Sequence, residues 1–258
     1  MIGSSIDLTI VIPVYNEDRN ISATLLKLKE HLSCSCEILI VFDFDEDTTV
    51  PVAQKLICQY PNMRLIKNNV ARGPSGAIRT GFNQAQGSNI LVLMADLCDD
   101  VTQIPEMLRL MAAGVDVVSP SRYCRGGSQV IQNVVLFKIW IPKIANFLLR
   151  YIIGIPTSDS TNSFKMYSAK LVKNMKLQST VSFSVTLEIV VKAHCLGGRI
   201  KDIPTIWRDR QHGKSNFKVF RSLFVYLPWF LLAFFHSRLI RLPRKWWQKR
   251  FSSQAVAN

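Results

Sequence analysis

Acidic residues are missing from two long stretches of this 258-residue chain. None occurs from Val117 to Ser158 or from Arg210 to Asn258, and the second stretch carries ten Lys and Arg. Both are also rich in Trp, Phe, Leu and Ile. Basic side chains set among large apolar ones suit an anionic membrane surface. Nucleic acid is the other usual partner of a chain with net charge +14, but its binders rarely need so much exposed aliphatic bulk. A membrane surface is therefore expected as a partner, and nucleic acid is not. Long apolar runs are missing too. No segment reaches the roughly 18 uninterrupted apolar residues of a spanning helix. Residues 134–155 are broken by Lys138, Pro142, Lys143 and Arg150, and residues 222–235 are too few and hold Pro228. The first residues lack the charged and apolar regions of a secretion signal. The six cysteines show no repeated C-x2-C spacing, so a zinc or disulfide framework is not expected. These absences point to a reduced setting, with the chain lying peripherally on the cytoplasmic side of a membrane. G-x-G-x-x-G and the Lys-Ser/Thr ending of a P-loop are absent as well.

What is present is a core: 48% of the residues are apolar, too many for disorder. Residues 8–14 form a short, β-branched apolar run that predicts a buried strand. Ile21, Leu25, Leu28 and Leu32 then recur at helical spacing. Strands are predicted at 37–42, 63–67, 90–94 and 115–119, and helices at 52–60, 73–86 and 104–112. This alternation predicts right-handed crossovers and a mostly parallel sheet with helices on both faces. Ligands of such sheets sit beyond the carboxyl ends of the strands. The polar clusters at 15–18, 43–47 and 96–100 each follow a strand, so they are expected to share one edge. After Arg122 the pattern changes: residues 134–153 predict one or two amphipathic helices, 183–194 a helix, 200–204 a strand, and 217–241 a basic, aromatic-rich helical tail.

Asp96 stands directly after a buried strand, with Asp99 and Asp100 close behind. A carboxylate so placed can hold a hard cation, Mg or Mn, against a diphosphate. Asp99 and Asp100 serve equally well as caps of the helix that follows. Asp43 occupies the equivalent place after the second strand, where a carboxylate can accept from a nucleobase N–H. Asp45 and Asp47 fit a solvated turn or a cap. Asp159 fits either an acceptor-side loop or a turn. Glu188, in an apolar helix, fits a structural ion pair, and His194 a structural role.

In order along the chain, Ile12-Pro13-Val14-Tyr15-Asn16-Glu17, the strand into Asp43, Gly73 to Gly81-Phe82, Ala95-Asp96-Leu97 and Ser121-Arg122-Tyr123 resemble the motifs of family 2 glycosyltransferases. Arg125-Gly126-Gly127, Asp159 to Phe164, Glu188 and Arg210 to Ser215 extend the resemblance over about residues 8–216. The dolichyl- and polyprenyl-phosphate sugar transferases are the nearest in look. The resemblance implies an α/β fold of GT-A (Rossmann-like) type, with a nucleotide-sugar half at 1–122, an acceptor half at 123–216 and a membrane-interface tail at 217–258. It also implies a GDP- or UDP-sugar donor, a polyprenyl-phosphate acceptor, inverting transfer of a hexose, and a divalent metal. Pro13, Tyr15, Glu17, Asp43 and Gly73 match nucleotide-holding positions. Asp96 matches the acid facing metal and diphosphate. Arg122 and Arg210 match phosphate-facing cations, and Lys138 a further acceptor-phosphate contact. Two departures bear on the metal: Met94 stands where the family has the first acid of D-x-D, and Cys98 where it commonly has Gln. A saccharide or other hydroxyl acceptor would instead need a base, with Asp159 or Asp100 the candidates. A silent nucleotide- or membrane-binding protein is a third reading, favoured by Met94 and Cys98. The tail beyond Leu242, with Trp246 and Trp247, reads as an interfacial anchor or a contact for a membrane partner subunit.

Overall fold

A computed structural model describes residues 6–130, 136–209, 219–239 and 244–252. The strands are β1 (Leu8–Pro13), β2 (Cys36–Phe42), β3 (Met63–Lys67), β4 (Asn89–Val92), β5 (Val117–Ser121), β6 (Ser128–Val130), β7 (Lys165–Ser168), β8 (Ile200–Pro204) and β9 (Ile206–Arg208). The helices are α1 (Ile21–His31), α2 (Thr49–Leu56), α3 (Pro74–Gln84), α4 (Ile104–Ala112), α5 (Leu136–Phe147), α6 (Ala169–Lys173), α7 (Ser184–Leu196), α8 (Val219–Phe234) and α9 (Arg244–Phe251). Seven strands form one sheet in the order β3-β2-β1-β4-β7-β5-β8, while β6 and β9 pair as a small parallel ribbon.

The central strand β1 shows why the sheet is covered twice. Its side chains alternate between faces. Leu8, Ile10 and Ile12 pack with Ile21, Leu25 and Leu28 of α1, whereas Val11 packs with Ala77, Ile78 and Phe82 of α3. A strand that is apolar on both sides reads as a continuous hydrophobic run, as LTIVIP does. Gly81 permits this close approach, because a Cβ there would lie 2.3 Å from Val11 Cγ1.

β1, β2, β3 and β4 run parallel, so the turns after β1, β2 and β4 meet at one edge, as their order along the chain predicts. β7 was not anticipated, and it lies antiparallel between β4 and β5. Lys165-Met-Tyr-Ser is short and opens on a charge, so periodicity does not reveal it. Its direction matters, since an antiparallel strand starts at the edge where its neighbours end. Residues 157–164 are thereby delivered to the same edge as Asp96. β5 also runs two residues further than predicted, to Ser121, which sets Arg122 at its carboxyl end.

The C-terminal helices, expected as a membrane-interface tail, also contribute to the core. α8 and α9 pack on α7, with Ala233, Trp247 and Phe251 inside the core. Trp247 is 3% exposed and so is no interfacial anchor. Glu188 and Lys192, one turn apart on α7, fix this packing. Glu188 accepts from Lys192 Nζ (2.5 Å) and from the amides of Gln178 and Ser179 (2.8 Å each). The Lys192 ammonium lies 5.0 Å from the Trp229 ring centroid and 4.9 Å from that of Phe251. His194 packs edge-on against His236. Both charges of the Glu188–Lys192 pair are fully buried, so removing one partner is costly. Glu188→Ala is expected to lower unfolding free energy by about 3–5 kcal/mol in urea titrations. Glu188→Leu combined with Lys192→Met should lose much less; equal losses would rule out the buried-charge account.

Candidate active site

The nucleotide side of the edge is built around Asp43. Its carboxylate accepts from Asn68 Nδ2 (2.6 Å) and from the Gly73 amide (2.8 Å). Gly73 reaches that position with φ +103°, a conformation that glycine adopts without strain. Asp43 thus shapes the loop before α3 and retains acceptor capacity for a ligand, since each carboxylate oxygen has two lone pairs. Tyr15 stands exposed and meets Phe44 edge-on at 5.6 Å, with the Arg72 guanidinium 5.9 Å from the Phe44 ring centroid. Pro13 ends β1 in the core, and Glu17 Oε2 accepts from Asn20 Nδ2 at 2.7 Å. Asp47, expected in a solvated turn or as a cap, is buried and accepts from the Asn16 amide and from the Thr49 amide at the start of α2. It ties the turn after β1 to the start of α2. Asp45 remains at the surface, paired with Lys67.

The acidic turn after β4 is held by its neighbours. Thr24 Oγ1 donates to the Ala95 carbonyl (3.0 Å), and the Arg208 amide donates to the Cys98 carbonyl (3.1 Å). Leu97 turns the chain with φ +61°, an uncommon conformation for leucine that recurs at functional turns. Asp96 is almost fully buried, and its Oδ1 accepts from the Cys98 amide at 3.2 Å. Of the two helpers expected for a metal, Asp100 is a cap: it accepts from the Thr102 amide and from Thr102 Oγ1. Asp99 turns back, with its carboxylate 3.4 Å from the Met94 amide nitrogen. Burial, and then the charge of Asp96, push the Asp99 pKa up to about 8.

The acceptor side is built around Arg122. Its Nε and Nη2 grip Asp159 Oδ2 and Oδ1 at 2.7 and 2.9 Å, and its amide adds a third bond. Burial alone would lower the guanidinium pKa, but the Asp159 charge and hydrogen bonds outweigh it and raise the value. Asp159 is wholly buried in this pair. Both oxygens of Asp159 are thus taken by Arg122, and Asp100, the other acid considered as a base, caps the following helix through Oδ1. Lys165 opens β7 behind the pair and donates to the carbonyls of Asp159 and Asn162. Burial pulls its pKa down to about 8.

Arg122 faces a cleft of about 510 Å³ lined also by Tyr123, Gln129, Lys143, Asn146 and Arg150. Lys143 and Arg150 appear in the sequence only as interruptions of an apolar helix. Their helical spacing of seven residues sets both toward one groove. Arg150 pairs with Asp202 at 3.4 Å, and Asp202 also accepts from Ser158. Arg210, and the side chain of Lys138, lie outside the described residues.

Residues 9–175 match the family model of glycosyl transferase family 2. The chain is 28% identical over 224 residues to a dolichol-phosphate mannosyltransferase of Pyrococcus furiosus, covering 85% of this chain and 61% of that protein. It is 27% identical to an undecaprenyl-phosphate 4-deoxy-4-formamido-L-arabinose transferase of Pseudomonas syringae (83% and 62% covered). It is 25% identical to a polyprenol monophosphomannose synthase of Mycolicibacterium smegmatis (80% and 79% covered). The chain thus spans about three fifths of the first two relatives. Among solved structures, glucosyl-3-phosphoglycerate synthase of Mycobacterium tuberculosis, in complex with Mn2+, UDP and glucosyl-3-phosphoglycerate, superposes with a TM-score of 0.66. That likeness, at 12% identity over 89% of this chain and 80% of the other, concerns the fold, which is of GT-A type.

The raised pKa of Asp99 has a signed consequence. The folded chain holds this proton more tightly than the unfolded one, so the contribution to stability is complete below about pH 4 and is lost as pH rises toward 8. Asp99→Asn, which mimics the protonated form, is expected to melt higher than the wild type at pH 8, by roughly 2–4 °C for each kcal/mol recovered. The gap should narrow as the pH falls and close below about pH 4. A gap that widens on acidification would show that Asp99 is charged and stabilising.

Proposed function

The chain belongs to glycosyl transferase family 2, and from that premise we propose that it moves a hexose from a GDP- or UDP-linked donor to a polyprenyl phosphate at a membrane surface. The observation that carries this reading is the cationic cleft at Arg122, Lys143 and Arg150, which opens beside an exposed apolar helix face. A phosphate monoester suits the cations, since arginine matches phosphate with a planar fork and lysine as a point charge. A prenyl chain suits the apolar face. On α5 and the π-helical turn that follows it, Trp140, Ile144, Phe147 and Tyr151 point outward at helical spacing. On α8, Phe224, Leu227 and Leu231 do the same, as does Phe235 just after it, with Phe224 76% exposed. Taking one such side chain out of water contributes about 1.5–3 kcal/mol. No described helix is long and apolar enough to cross a membrane.

The chemistry follows from the acceptor. A phosphate oxygen attacks the anomeric carbon from the face opposite the donor diphosphate. The new C–O bond forms as the bond to the diphosphate breaks, and the bonding electrons leave with the nucleotide. The acceptor is already ionised at neutral pH, so no base has to take a proton and positioning supplies most of the catalysis. This agrees with the acid beside Arg122: both oxygens of Asp159 are committed to that guanidinium. A hydroxyl acceptor would need such an acid free. Tyr15, Asp43 and Gly73 would hold the nucleoside, and Asp96 would face the diphosphate. A divalent cation would supply neutralisation of the charge on the departing diphosphate, and Asp96 would be the residue to hold it.

Purified protein given labelled GDP- or UDP-hexoses and polyprenyl phosphate in vesicles is expected to form a solvent-extractable sugar lipid. No product from any donor would overturn the reading. Lys143→Ala should raise KM for the lipid phosphate about tenfold, as for one lost charged contact, and leave KM for the donor unchanged. Separately, Trp140→Ser with Phe147→Ser should weaken binding to anionic vesicles in flotation assays while a short, soluble prenyl phosphate is still turned over. Unchanged flotation would exclude this helix face as the lipid contact.

A further inference from the structure

The residues after β4 are a poor match to a cation held by the protein itself, and each has a structural reason. Magnesium and manganese take oxygen ligands. Met94, half-buried at the end of the strand, offers a thioether, which is a soft and weak donor for such ions. The Cys98 sulfur is buried 3.6 Å from the Asp96 carbonyl oxygen. Asp100 is engaged by the Thr102 amide and hydroxyl, and Asp99 is directed at the Met94 amide. Among the described residues, no three His, Cys, Asp or Glu side chains are grouped closely enough to hold a metal ion. Asp96 is the acid of this turn that the family resemblance sets against the diphosphate, and one carboxylate is a weak site. Positive charge at this edge comes from the chain itself. Arg122 and Lys165, on neighbouring strands, are held in place by Asp159 and its carbonyl.

We propose that the turn after β4 is no standing divalent-cation site: the cation arrives on the donor's diphosphate, with Asp96 its single carboxylate ligand from this turn, and Met94 is the residue that removes the standing site. The phosphate oxygens supply the hard ligands that the turn lacks, so cation binding is contingent on nucleotide. This rests on the nucleotide-sugar reading above for what occupies the site, and it goes beyond that reading in assigning where the affinity for metal resides.

The test is a Mn2+ titration of the full chain followed by electron paramagnetic resonance of the free ion, which requires no turnover. Wild type without nucleotide should show no saturable site, and addition of GDP or UDP should tighten Mn2+ binding at least about tenfold over either component alone. Met94→Asp should bind Mn2+ without nucleotide at least about tenfold more tightly than wild type. Asp96→Asn in that background should abolish the gain, whereas Met94→Leu should behave as wild type. A saturable site in the wild type alone overturns the proposal, and that arm depends on no variant folding. A Met94→Asp chain with an unaltered melting curve and no gain overturns it as well, as does nucleotide that binds without tightening Mn2+. Sugar-lipid formation is read separately, so a failure of transfer with these binding results intact faults the acceptor reading and not this one.

Discussion

The grip of Arg122 on Asp159 is the contact on which the acceptor half of the site depends. Arg122 follows β5 directly, and Asp159 lies in the segment that leads into β7. Their two parallel bonds are charge-assisted and mostly shielded from water, which makes them strong and directional. The pair is costly to break, because either partner alone would be a buried, unsatisfied charge. It therefore fixes where the guanidinium points, with one side committed to Asp159 and another lining the cleft. Asp202 sets Arg150 across the same cleft through a looser contact. A groove lined with arginines needs such anchors, since free cations would repel one another and sample many rotamers.

The insertion of β7 makes that grip possible. Had the chain crossed over to another parallel strand, residues 157–164 would have been left at the far edge of the sheet. Running antiparallel between β4 and β5, the strand carries this segment to the carboxyl edge instead. Lys165 follows at once, its ammonium capped by backbone carbonyls below the ion pair. The acidic turn after β4 is thus flanked by cations that belong to the fold. Its own carboxylates are put to different uses, with Asp100 capping a helix, Asp99 turned inward and Asp96 toward the edge.

The C-terminal helices serve the body and the surface at once. One side of α8 and α9 closes the core over α7, where Lys192 meets Trp229 and Phe251. The opposite side of α8 presents aromatic and aliphatic residues to the exterior, as α5 does. A helix that is apolar all round in sequence has these two faces because only one of them finds a protein neighbour.

Much of the nucleotide half was legible in the sequence, because buried parallel strands are continuous apolar runs and their polar turns follow directly. That pattern gave the succession of β1 to β4 along the chain and the convergence of Tyr15, Asp43 and Asp96 on one edge. The family resemblance, carried by the ordered motifs, added the GT-A architecture. Glu188 was readable as a structural ion, since an acid alone in an apolar helix needs a partner. The acceptor half was not legible in the same way. β7 has four residues and no periodicity of its own, and the partners of Asp159 and Arg150 lie 37 and 52 positions away. Lys143 and Arg150 gain meaning only from the cleft they share, and Trp247, an anchor by composition, is core by contact. Local pattern determines which segments bury themselves; pairing between distant charges, and which face of a helix meets protein, are decided by how those segments come together.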